Sequence, residues 1–80
     1  MTKEEILSKL SIEDDGIYKL VMFDGDQLGF EDAPGVMLMG FSNEDLIENA
    51  EMDEERARAL QEHEEAIREW VEQQGFQVTS

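Results

Sequence analysis

Residues 17–30, IYKLVMFDGDQLGF, decide the fold class of this chain. Ile17 to Phe23 is a run of β-branched, aromatic and other apolar residues broken only by Lys19, Asp24-Gly25-Asp26-Gln27 is polar, and Leu28-Gly29-Phe30 resumes the apolar run. That order is the signature of two strands joined by a tight connection. If all four polar residues form the loop, Phe23 faces Leu28, Val21 faces Phe30 and Lys19 faces Asp32, which sets apolar against apolar. A two-residue Asp24-Gly25 turn would set Val21 against Leu28 but Phe23 against Asp26 and Lys19 against Phe30, a poorer match, so the four-residue loop is the expected register.

Downstream, Ala33-Pro34-Gly35 interrupts the ladder because proline has no amide to donate. Val36-Met37-Leu38-Met39-Gly40-Phe41 follows, apolar on both faces, and is expected to be the most buried strand. Upstream, Glu13-Asp14-Asp15-Gly16 reads as a turn. Thr2 and Glu5 form a capping box ahead of Ile6, Leu7 and Leu10, which predicts a helix over about residues 3–10. Beyond residue 41, Ser42-Asn43-Glu44-Asp45 caps a further helical period, and Asp53 with Glu54 and Glu55 is a second start signal. A break near residues 51–53 is expected within the stretch 43–74. Gly75 suits the left-handed end of the last helix, and Phe76, Val78 and Thr79 make a short final strand or pack the tail. The chain is therefore read as one α+β domain over residues 1–80, with a short N-terminal helix, a small antiparallel sheet of two or three strands, and one or two C-terminal helices packed on it.

Charge bounds the function. Twenty-one Asp and Glu against six Lys and Arg give a net charge of −15. The acids are spread along the chain among apolar residues, so they coat a folded domain instead of forming a tail. Such a coat repels nucleic acid and anionic membrane and attracts basic surfaces. An apolar content of 40% is periodic enough for a small core, and the absence of cysteine excludes disulfides, thiolate metal sites and thiol nucleophiles. No stretch is apolar enough to span a bilayer and the N-terminus lacks a signal-peptide pattern, so a cytoplasmic location is expected, the host cytoplasm if the gene is phage-borne.

At 100° per residue, Arg56, Ala59, Leu60, His63, Ala66, Ile67, Trp70 and Val71 share one side of the last helix, while Glu54, Arg58, Glu62, Glu65, Glu69 and Glu72 share the other. Glu54 with Arg58 and Glu64 with Arg68 are spaced for ion pairs; Glu62, Glu65, Glu69 and Glu72 repel one another. Carboxylates one turn apart lie roughly 5–6 Å from each other, near the phosphate spacing of a DNA strand. By charge and size, although by no shared motif, the chain resembles the small acidic anti-CRISPR and anti-restriction proteins of phages and mobile elements. The resemblance implies a protein inhibitor that mimics nucleic acid and occupies the basic channel of a defence enzyme. Its candidate partner-binding residues are Glu54, Glu62, Glu65, Glu69 and Glu72, with a second group, Asp24, Asp26, Glu31 and Asp32. Monomer or weak homodimer is expected, with no direct nucleic-acid or membrane contact. The alternative is a small intracellular adaptor or assembly protein docking through an apolar surface such as Trp70 or Phe41.

Other chemistry finds little footing. Asp24-Gly25-Asp26-Gln27-Leu28-Gly29 begins like an EF-hand loop but places Leu28 at the fifth position and Gly35 at the twelfth, where a bidentate glutamate is required. A cation-binding module centred on residues 24–32 is accordingly the weakest reading, and no metal or cofactor is assigned. His63, the only histidine, falls on the apolar stripe with no oriented partner, as a core-edge residue would. With no glycine-rich phosphate loop either, the chain is read as a non-enzyme.

Overall fold

The computed structural model describes residues 1–79. The architecture is α+β, with a five-stranded sheet in the order β1-β2-β3-β4-β5 and helices packed on one face. The expected two or three strands underestimate the sheet, because residues on both sides of the central hairpin also join it.

The first helix, α1 (Lys3–Ser8), has the expected capping box: the Glu5 amide donates to Thr2 Oγ1 at 3.2 Å. It stops two residues early. Leu10 opens β1 (Leu10–Asp14) and pairs with Phe23, while the Asp24 amide donates to the Lys9 carbonyl at 3.2 Å. The Ile6 to Leu10 spacing suits a helix as well as an entry into a strand, and pairing against β2 (Lys19–Phe23) buries Leu10 while filling the sheet edge.

The turn between β1 and β2 is built by aspartates. Asp14 Oδ1 accepts from the Gly16 amide at 2.8 Å, and Asp15 Oδ1 accepts from Ile17 at 2.9 Å and Tyr18 at 2.6 Å. The Tyr18 and Ile17 amides lower the Asp15 pKa below the usual carboxylate value. A folded-state pKa below the unfolded one means stability that is present above the unfolded value and lost as pH falls through the folded one. Urea midpoints of wild type and Asp15→Asn should therefore differ most above about pH 4 and converge below it; a constant difference down to pH 2 would remove Asp15 from this account.

The β2–β3 connection corrects the expected register. Asp24 and Gly25 alone form the turn, both at positive φ (48° and 93°), as a type I′ hairpin needs. Phe23 pairs with Asp26 and Met22 with Gln27 in β3 (Asp26–Ala33); a bulge then shifts the ladder so that Val21 pairs with Gly29 and Leu20 with Phe30. The bulge removes the Lys19–Phe30 mismatch and sets Leu28 and Gly29 side by side, both buried. Asp26 opposite Phe23 is tolerated because Arg56 covers both. Its Nη2 lies 3.0 Å from Asp26 Oδ2 and 3.6 Å from Asp24 Oδ2, and its guanidinium sits 5.3 Å from the Phe23 ring centroid.

Strand β4 (Val36–Met39) follows a Pro34-Gly35 turn and pairs with β3; β5 (Gln77–Thr79) pairs with β4 in parallel. Burial in β4 is one-sided: Met37 and Met39 enter the core, whereas Val36 and Leu38 are only half-buried on the far side.

The long connection from β4 to β5 has three helical parts. A π-helical turn (Glu44–Asn49) starts at a second capping box, with Ser42 Oγ donating to Asp45 Oδ2 at 2.7 Å and the Asp45 amide donating to Ser42 Oγ at 3.1 Å. The break at 51–53 is present, with Glu51 at φ 57° and Asp53 capping the next helix through the Arg56 amide at 2.8 Å. Helices α2 (Glu54–Glu62) and α3 (Glu64–Gln73) are then separated at His63 (φ −114°, ψ 23°). An unbroken helix would align Ala57, Leu60, Glu64, Ile67 and Val71 on one stripe and drive Glu64 into the core. Because the helix breaks, Glu64 stays 41% exposed and accepts from Arg68 Nε at 2.8 Å, while the four apolar members remain buried. The core joins these four to Ile6, Leu10, Val21, Phe23, Met37 and Met39, with Trp70 and Phe76 half-buried against it.

Candidate functional site

The outer surface of α2 and α3 carries Glu54, Glu62, Glu65, Glu69 and Glu72, all exposed. The sequence places them there because Ala57, Leu60, Ile67 and Val71 commit the opposite stripe to the core. Within α3, Glu65, Glu69 and Glu72 rise by about 1.5 Å per residue, so neighbouring carboxylates lie one turn apart. Glu62 continues the row across the His63 break. Glu54 stands two turns further along α2, so the five acids form a bent row instead of the straight one that an unbroken helix would present.

Few cations oppose this row. Arg68 holds Glu64 and lies 5.1 Å from the centroid of Phe41; Arg56 is occupied with Asp24 and Asp26; Lys19 lies 5.8 Å from the centroid of Phe76. The expected Glu54–Arg58 ion pair does not form among the described residues, while the Glu64–Arg68 pair does. Glu54, Glu62, Glu65, Glu69 and Glu72 have no ion-pair partner among the described residues. At the bend, Lys3, Gln61, Glu62, His63, Glu65 and Glu69 line a shallow hollow. His63 is thus a neighbour of the carboxylates that sequence spacing assigned to the other side of the helix.

The second acidic group does not form a single patch. Asp24 and Asp26 lie at the hairpin turn, bound to Arg56, while Glu31 and Asp32 lie at the other end of β3, roughly 20 Å away at 3.3 Å per residue. Glu31 is used locally, its Oε2 accepting from the Gly35 amide at 2.9 Å. What reads as a loop over 24–32 is a two-residue turn followed by a strand, and the strand pulls the acids apart.

The apolar anchors named for a docking role also move. Phe41 is buried beneath Arg68, and Trp70 is half-buried against the core. The apolar surface lies elsewhere. On the sheet face away from the helices, Leu20, Met22, Phe30, Val36 and Leu38 are half-buried, next to Tyr18 at 46% and Ile17 at 81% exposure. The signal for it was in the sequence: consecutive apolar residues at 20–23 and 36–39 leave apolar side chains on both faces of β2 and β4.

No known protein family, characterised protein or solved structure matches this chain. No helix among the described residues is long and apolar enough to cross a membrane.

Proposed function

We propose that this chain is an acidic inhibitor protein of the phage or mobile-element kind, which occupies the positively charged nucleic-acid channel of a defence enzyme by presenting carboxylates in place of phosphates. The supporting observation is the exposed row Glu62, Glu65, Glu69 and Glu72, held on two packed helices and forming no ion pair among the described residues. Like-charge neighbours one turn apart weaken a helix slightly, and here they are fixed by a buried stripe on the other side, so the surface is ordered before it meets a partner. Binding would be competitive, steered by charge and sensitive to salt. Asp24 and Asp26, being bound to Arg56, have a smaller part in this reading than the helical row.

The test is the joint substitution Glu62→Gln, Glu65→Gln, Glu69→Gln and Glu72→Gln, assayed against a set of purified DNA- and guide-RNA-binding nucleases. A nuclease inhibited by the wild type should be inhibited about tenfold less by the variant, with a shallower dependence on salt. The urea midpoint should hold or rise, since repulsion is relieved. Unchanged inhibition by the variant would exclude mimicry through this face.

A further inference from the structure

The far face of the sheet stands outside the packed core. β2 and β4 alternate cleanly: Val21, Phe23, Met37 and Met39 are buried in the core, and Leu20, Met22, Val36 and Leu38 lie on the other face, where β3 adds Phe30, the partner of Leu20 and Leu38. Tyr18 extends the second group, its ring set edge-on to Phe30 with centroids 5.7 Å apart. An antiparallel sheet with one free face normally carries polar residues on it. Here the face is an apolar stripe, and a five-stranded sheet of this kind is about 19 Å wide at 4.8 Å between strands.

Charge selects the occupant. Few cations lie near the stripe among the described residues: Lys19 is turned towards Phe76, Lys3 opens α1 and the three arginines are on α2 and α3, which leaves Lys9, between α1 and β1. Acids border the stripe. Glu13 pairs with Leu20 on the same face, Glu31 and Asp32 share a hollow with Ile17, Tyr18 and Pro34, and Asp45 shares a groove with Phe30 and Leu38. A second copy laid on this face would set these acids against their own kind on two chains of −15 each.

We infer that the far face of the sheet docks a cationic amphipathic helix of a partner protein, its apolar residues on Leu20, Met22, Phe30 and Leu38 and its Lys or Arg flanks on Glu13, Asp32 and Asp45. A helix of about 12 residues, 18 Å long, crosses the sheet. This surface lies on the opposite side of the sheet from the helical carboxylates, and the inference stands independently of the mimicry reading.

The probe is a designed 14-residue Leu/Lys peptide, helical and amphipathic, compared by fluorescence anisotropy with its Leu/Glu counterpart. The Leu/Lys peptide should bind the wild type and the Leu/Glu peptide should not. Phe30→Lys with Leu38→Lys should weaken binding by about tenfold or more, as should Ile17→Lys with Tyr18→Lys at the exposed edge of the stripe, a variant whose urea midpoint should stay near that of the wild type. The four Glu→Gln substitutions on α2 and α3 should change it by less than about twofold. Absence of binding to the Leu/Lys peptide, or loss with the Glu→Gln variant but not with the Ile17 and Tyr18 variant, would overturn the inference. So would self-association of the wild type that Tyr18→Lys abolishes, since a second copy would then be the occupant.

Discussion

Phe23→Ala is expected to lower the unfolding free energy by about 3–5 kcal/mol. A domain of this length has a total of roughly 4–12 kcal/mol, so a large part of the population should unfold under mild conditions. Phe23 is fully buried, pairs with Leu10 on one side and Asp26 on the other, and supports the Arg56 guanidinium 5.3 Å from its ring. Removing the ring opens a cavity and also leaves Arg56 and Asp26, each about a quarter exposed, without the apolar surface that orders them. Phe23→Leu should recover more than half of the loss, because most of the buried volume returns. Urea denaturation followed by far-UV circular dichroism measures both. A loss under about 1 kcal/mol for Phe23→Ala would mean that the hairpin is not anchored through this residue.

Gly29→Ala is the second large effect, at about 3 kcal/mol. Gly29 pairs with Val21 on the core side of the sheet and with Met39 across β4, and a β-carbon built there overlaps the Leu38 carbonyl oxygen and the Met39 side chain. The carbonyl belongs to the backbone of a paired strand, so relief requires β3 and β4 to separate. Gly40→Ala is the control. Its β-carbon meets the Asp45 carboxylate, the end of a side chain that can rotate away once its bonds to Ser42 are given up, and the loss should be about 1 kcal/mol, the value of a cap. Thermal melts of the two variants should rank in that order; the reverse order would contradict the strand packing described for Gly29.

Local signals in the chain decide the structure where a few neighbouring residues settle the matter. Thr2 with Glu5, Ser42 with Asp45, Asp53, and Gly75 at φ 100° each act within one turn of backbone, and each lies where spacing puts it. The hairpin strands and the strand at 36–39 are equally local. The hairpin register was not, since pairing rules rejected Phe23 opposite Asp26 on its own merits. Arg56, 30 residues further on, makes that pairing acceptable, and a bulge repairs the rest. The division of the acids followed the same logic: once residues 26–33 became a strand, Asp24 and Asp26 were separated from Glu31 and Asp32.

The helical carboxylate row was legible as composition and period, its bend was not. Periodicity places both His63 and Glu64 near the apolar stripe, and only the demand that the core admit Ile67 and Val71 while excluding Glu64 breaks the helix between α2 and α3. The far face of the sheet was legible as an excess of apolar residues in 20–23 and 36–39, but which side the helices would cover was not.

Sequence therefore set the class of fold, the caps, the turn-forming residues and a negative charge of 15, because these depend on residue type and on contacts within a few positions. Tertiary packing chose the hairpin register, the added strand β1, the parallel pairing of β5 with β4, the bend at His63 and the face left open, because each depends on a partner distant in the chain. Arg56 on the hairpin, Leu10 on Phe23, and one layer of helices over a sheet with two apolar faces are contacts that neither partner announces by itself.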